Sequence, residues 1–168
     1  GDSLTDADHN TAVGFNALTA DTQGSKSVAI GTGTLATQNF TTATNAYNVA
    51  IGYDAGVAVT TATENTLIGG LAGDALTTGF SNVAVGVNSL GTETTGRKNV
   101  AIGYATLSTQ NNNADTFNTA VGYDAGKSIT TGVHNVIIGG QAGDAMTNAD
   151  FNIAIGKGAL GADTRGNS

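Results

Sequence analysis

The sequence has no cysteine, no proline and no tryptophan. Without a thiol there is no disulfide scaffold, thiolate metal site, c-type haem attachment or cysteine nucleophile. Charge is also scarce: only 11% of residues are charged, and 13 acidic against 6 basic side chains give a net charge of −7. Such a surface repels a polyanion, which excludes nucleic-acid binding through a basic face. The longest apolar runs are four or five residues, too short for a membrane-spanning helix. No charged segment followed by an apolar one opens the chain as a signal peptide would. Large apolar side chains are few as well. Val, Ile, Leu and Phe total 35 of 168 residues, and most of the remaining apolar content is Ala. A globule of this composition would have a thin core.

What is abundant is repetition. Asn, three residues that are mostly Val/Thr-Ala-Ile/Val, and Gly recur nine times, with Ser27 in place of Asn in the second copy. The motif glycines are Gly14, Gly31, Gly52, Gly69, Gly86, Gly103, Gly122, Gly139 and Gly156, separated by 17 residues except for single steps of 21 and 19. A short fixed period with a strand in each copy indicates a solenoid, in which each unit buries its apolar face against the next. The unit is β: β-branched residues stand at alternate places, as Val49 and Ile51 do, and seventeen residues leave no space for a helix pair. The expectation is an all-β parallel β-solenoid of about nine 17-residue coils, residues 1–168 forming a single repeat domain. Each coil has room for two short strands and two turns, and nine coils would make a rod of roughly 40 Å.

A longer period overlies the first: coils one to four recur as five to eight, 70 to 72 residues later, and coil nine restarts the series. In one coil type a leucine stands four residues past the motif glycine, at Leu18, Leu35, Leu90, Leu107 and Leu160. In the other type that place is Gly56, Gly73, Gly126 or Gly143, and an aliphatic follows three residues later as Val59, Leu76, Ile129 or Met146. There the leucine coils carry Asp21, Gln38, Glu93, Gln110 and Asp163. One large aliphatic per coil is kept, which is a packing requirement. Extra length falls at residues 36–47 and 108–117, both with Gln-Asn, and insertions in solenoids map to loops on one side.

Alternation predicts Val49 and Ile51 facing the coil interior and Ala50 facing out. The outward column would then be Ala12, Ala29, Ala50, Leu67, Ala84, Ala101, Ala120, Ile137 and Ala154. Strands apolar on both faces are covered on both sides, and the simplest cover is another copy of the chain. These nine residues are therefore expected to pack at the axis of an obligate homo-oligomer. The Asn column is expected to hydrogen-bond between coils at a corner. The Thr pairs at 60–61, 77–78, 94–95 and 130–131 are expected in turns.

Ser27-Val28-Ala29-Ile30-Gly31 and Asn99-Val100-Ala101-Ile102-Gly103, set among Thr-Thr-Gly and Ala-Leu, resemble a known family. The resemblance is to the left-handed parallel β-roll repeats of bacteriophage tail fibres and trimeric autotransporter adhesin heads, and it covers nearly the whole chain. It implies a left-handed β-roll assembled as a parallel homotrimer with the apolar strands near the axis. It implies attachment to a host surface, on a virion tail fibre or, alternatively, a bacterial cell surface. The 17-residue period is longer than the usual adhesin unit and favours the phage fibre. The stop at Arg165-Gly166-Asn167-Ser168 would suit cleavage of a C-terminal chaperone or an arbitrary boundary.

Catalysis finds little support, so the expectation is a non-enzymatic protein with no cofactor and no metal. His9 and His134 lie far apart, His134 in a surface-turn pattern, and no P-loop is present. Asp6 and Asp8 beside His9 read as a polar terminus. Asp54, Asp74, Asp124 and Asp144 read as turn residues, with a calcium site shared between chains the lesser alternative. Binding is the better reading. Tyr53, Tyr104 and Tyr123 follow their glycines where sibling coils hold Thr32, Val87 and Lys157, a variety that suits exposure. Exposed rings beside Asp and Asn suit sugar stacking, and packing across a turn is the competing role. Phe40, Tyr47 and Phe117 complete the candidate receptor-binding set. Its partner would be a host cell-surface glycan or protein, with no membrane insertion. A structural fibre shaft and an ice-binding β-solenoid are the alternatives.

Overall fold

The computed structural model describes residues 1–162 and 164. The expectations placed on Asp163 and on residues 165–168 lie outside the described residues. No helix occurs among the described residues, and the chain winds as a parallel β-solenoid of about nine turns. Nine three-residue strands form one sheet in sequence order. They are β1 (Thr11–Val13), β3 (Val28–Ile30), β5 (Val49–Ile51), β6 (Thr66–Ile68), β7 (Val83–Val85), β8 (Val100–Ile102), β9 (Thr119–Val121), β10 (Val136–Ile138) and β11 (Ile153–Ile155). Register repeats from coil to coil: Ala50 pairs with Leu67 and Ala84 with Ala101.

Among the described residues most coils hold one strand, not the two that their length allows, and only the first two coils carry a second, two-residue strand. Turns make up the rest of the circuit, and they use the left-handed backbone region repeatedly. In the fifth coil Ser81, Asn88 and Leu90 have φ of 59°, 56° and 53°, and Gly86 ends the strand at 131°. A Cβ on Gly86 would strike the Gly103 carbonyl of the next coil, so the strand-end glycines let successive backbones stack.

Strand facing is the reverse of the expectation. Ala29, Ala50, Leu67, Ala84, Ala101, Ala120, Ile137 and Ala154 lie buried inside their own coils, not on an outer seam. Ala12 shares the column through its pairing with Ala29 but is exposed in the first coil, which has a strand neighbour on one side only. Val49 and Ile51, with their counterparts in the other strands, point outward. The reason is volume. Leu18, Leu35, Leu90 and Leu107 fill the leucine-coil interiors, while Val59, Leu76, Ile129 and Met146 fill the glycine coils. They leave space for little more than a methyl from the strand. Only where Gly56 with Gly73, or Gly126 with Gly143, vacate volume do the larger Leu67 and Ile137 fit.

The Asn column behaves as expected. Asn65, Asn82, Asn99, Asn118 and Asn135 are buried. The backbone N–H of Asn82 donates to Asn65 Oδ1 at 3.0 Å, and its Nδ2 donates to the same oxygen at 3.1 Å and to the Gly96 carbonyl at 3.0 Å. The pattern recurs at Asn135 and, in its main bonds, at Asn99. The ladder closes turn carbonyls that would otherwise be stranded in a dry interior.

Two junctions depart from this regularity, and both are insertions. Segment 36–47 is not a free loop: it contributes β4 (Thr44–Asn45), which pairs in parallel with β2 (Gly24–Ser25). Segment 108–117 makes the equivalent single bridge, Arg97 with Asp115. Beneath them lie the leucine-coil polar residues, fully buried. Asp21 Oδ2 accepts from Gln38 Nε2 at 2.6 Å, and Gln38 Oε1 accepts from Asn48 Nδ2 at 2.9 Å. In the second repeat Glu93 Oε1 accepts from the N–H groups of Thr94, Thr95 and Gly96. Its Oε2 accepts from Gln110 Nε2 at 3.0 Å, and Gln110 Oε1 accepts from Asn118 Nδ2 at 2.8 Å. Each acid is thus surrounded by donors, the condition for keeping a carboxylate in a core.

Candidate functional site

The outward side of the sheet is the most unusual surface. Its two central columns, the first and third residues of each strand, contain only Val, Ile and Thr. A flanking column precedes the Asn and another follows the strand-end glycine. Nearly every exposed large apolar side chain falls in these four columns, Leu71 and Leu160 being the exceptions. Six residue steps across by nine strands give a face of about 20 Å by about 40 Å, on the order of 800 Å². The central pair of columns is apolar apart from Thr11, Thr66 and Thr119, whereas the flanking columns mix aromatic rings with Lys26, Glu64, Ser81, Lys98 and Lys157.

The candidate binding residues sort onto its two edges. Tyr53, Tyr104 and Tyr123 stand in the column after the glycine, 61%, 51% and 56% exposed. The rings of Tyr104 and Tyr123 stack at 5.4 Å, close to the coil rise. Tyr47 and Phe117 stand in the column before the Asn, also exposed. Phe40 is a correction. It is only 5% exposed, because its ring lies over Gly24 and its N–H donates to Asp21 Oδ1, so it belongs to the core and offers no contact surface.

The Asn-preceding column holds more than the sequence reading credited. Phe117, His134 and Phe151 form a continuous ring stack, with centroids 5.1 and 4.9 Å apart. The Lys98 ammonium sits 5.0 Å from the Phe117 centroid and bonds Asp115 at 2.6 Å. His134 is exposed in a left-handed turn, as its pattern suggested, and its ring is a spacer in this ladder. The signal was available in the register: residues 117, 134 and 151 stand at the same place in consecutive coils. Because these rings cover one another's faces, they present edges to solvent, which suits lateral packing better than sugar stacking.

Asp54, adjacent to Tyr53 and acting as acceptor, holds the phenol above its ordinary value. Asp124 bonds Lys127 at 3.2 Å and raises the ammonium likewise. Lys98, seconded by Arg97, holds the Asp115 carboxyl below the usual carboxylate range, whereas burial raises Asp74. Among the described residues, no group of three or more His, Asp or Glu side chains could hold a metal ion. The first Thr of three pairs bonds along the rod: Thr60, Thr77 and Thr130 each donate to the carbonyl of the Thr one coil on. No protein-family model matches the chain, and neither does any curated protein or solved structure.

Proposed function

We propose that the protein is a non-enzymatic attachment fibre: a left-handed β-roll that assembles as a homotrimer and binds a host cell-surface receptor, a glycan in the first place. The supporting observation is the outward Val/Ile face. Its two columns run unbroken along all nine strands, a strip about 7 Å wide and about 40 Å long. Its side chains recur at the coil rise, so the partner best matched in period is a second copy of the same rod. The seam proposed here is therefore the Val/Ile pair of columns, in place of the alanines. Three copies is the number implied by the resemblance of the repeats to phage tail-fibre and adhesin β-rolls, and a virion tail fibre is the corresponding location.

Sedimentation equilibrium tests the assembly. Three chains of 16.5 kDa give 49.5 kDa, and Ile51→Asp with Ile68→Asp should shift the species to lower mass. A stable folded monomer of the wild-type chain at micromolar concentration would overturn the reading. The receptor is tested on a glycan array, with binding by the trimer expected. Substituting Tyr53 and Tyr123 by alanine should weaken attachment to host cells while leaving the melting temperature unchanged. An ice-binding role is disfavoured by the hydroxyls of Thr60, Thr77 and Thr130, whose protons are committed to neighbouring coils.

A further inference from the structure

We infer that Gly70 and Gly140 keep open two notches, beside Tyr53 and Tyr123, each of which takes one pyranose ring stacked on the tyrosine. The inference rests on the glycan reading above and gives it a place. Most glycines of this chain have a reason that the backbone supplies: a left-handed φ, or a neighbour that a Cβ would strike. Gly70 and Gly140 have neither. Their φ lies outside the left-handed range, a Cβ on Gly140 would meet nothing within 4 Å, and one on Gly70 only the Tyr53 carbonyl at 4.0 Å. Any side chain would fit, yet the same vacancy occurs in both long repeats.

The vacancy lies in the tyrosine column. One face of Tyr123 is taken by Tyr104, and the column place beyond its other face is Gly140. Tyr53 stands in the same relation to Gly70. The next side chains along the column are Val87 and Lys157, two coils on. Two coil rises are about 9.6 Å, which leaves an intruding ring roughly 4.8 Å from each wall. That is wide for flat aromatic stacking and suits a puckered ring with axial C–H groups against the phenol. Polar groups lie close by: Asp54 beside Tyr53, and near Tyr123 the exposed Lys127, held at 3.2 Å by the buried Asp124. The notches are 70 residues apart, four coils or about 19 Å, so a linear oligosaccharide of that span would engage both.

The test uses the assembled protein with 13C-labelled tyrosine, titrated with millimolar methyl glucoside, galactoside and mannoside, alongside the glycan array. Ring signals of Tyr53 and Tyr123 should move with at least one glycoside while Tyr47 stays still. Gly70→Leu with Gly140→Leu should weaken the titration at least tenfold, with sedimentation mass and melting temperature unchanged. Array binding without movement at Tyr53 and Tyr123, or binding that survives the leucine variant, overturns the notches and leaves the glycan reading standing. An array with no bound glycan overturns both. A change of assembly mass in the leucine variant overturns the notches as sugar sites and makes them sockets for a neighbouring copy.

Discussion

Leucine coils and glycine coils place the same backbone around different interiors. Leu18, Leu35, Leu90 and Leu107 hold φ between 47° and 53°, and Gly56, Gly73, Gly126 and Gly143 hold 55° to 59°. The left-handed turn is therefore a property of the coil, not of the residue occupying it. A leucine there costs roughly 1–2 kcal/mol in backbone strain, against roughly 1.5–3 kcal/mol from burying its side chain. The glycine coil avoids the strain and takes its aliphatic three residues later. The leucine coil uses that later place for a buried polar group. Three positions share one volume, and each coil type divides it differently.

Removing the polar group should have the largest effect. Glu93→Ala strands the N–H groups of Thr94, Thr95 and Gly96 and the amide of Gln110, and is expected to lower stability by about 4 kcal/mol. Chemical denaturation measures it, and a loss below about 1 kcal/mol would mean that water replaces the carboxylate without cost. A double-mutant cycle examines the glycine coils next. Leu67→Ala should cost about 3 kcal/mol through the cavity it leaves. Gly73→Ala places a Cβ 2.8 Å from Leu67 Cδ2 and should cost about 2 kcal/mol in the wild type. With Leu67 already truncated it should cost about 1 kcal/mol, and strict additivity would show that the two residues do not compete for space.

The smallest expected difference is in acid. Asp115, in a leucine-coil insertion, has its folded value depressed by Lys98 and Arg97. Its contribution is present above the unfolded value and fades as pH falls through the folded one. Asp74, in a glycine coil, is raised by desolvation, so its charge opposes folding at neutral pH and that penalty lifts as pH falls. Melting curves between pH 3 and pH 6 should show Asp115→Asn flattening the acid loss and Asp74→Asn steepening it. The same slope in both variants would refute the contrast.

Much of this division was legible in the sequence. The period, the strand in each coil, the Asn ladder and the exchange between Leu18-type and Val59-type positions follow from spacing alone. Strand facing did not. In a three-residue strand that is apolar throughout, alternation says that Ala50 opposes Val49 and Ile51, but not which side is inside. The deciding quantity is the volume already claimed by side chains from the rest of the circuit, and that is a property of the closed coil. Phe40 was missed because an inserted segment reads as surface, and the burial of Asp21–Gln38 and Glu93–Gln110 was not anticipated. Their column positions, shared with Val59 and Ile129, carried the contrary signal. Of the binding candidates, the exposure of the three tyrosines after the glycine was legible. The Phe117–His134–Phe151 stack became visible only when separate coils were laid side by side.

The Asn ladder has a direction. Oδ1 of Asn48, Asn65, Asn82, Asn118 and Asn135 accepts from the coil that follows in the chain through both the backbone N–H and the side-chain amide, and Oδ1 of Asn10 and Asn99 accepts from the following backbone N–H. A coil that has already formed therefore displays an acceptor aimed at the segment next to leave the ribosome. The rod can close like a zip in the order of its translation, each newly made turn finding its first polar partner already fixed in place.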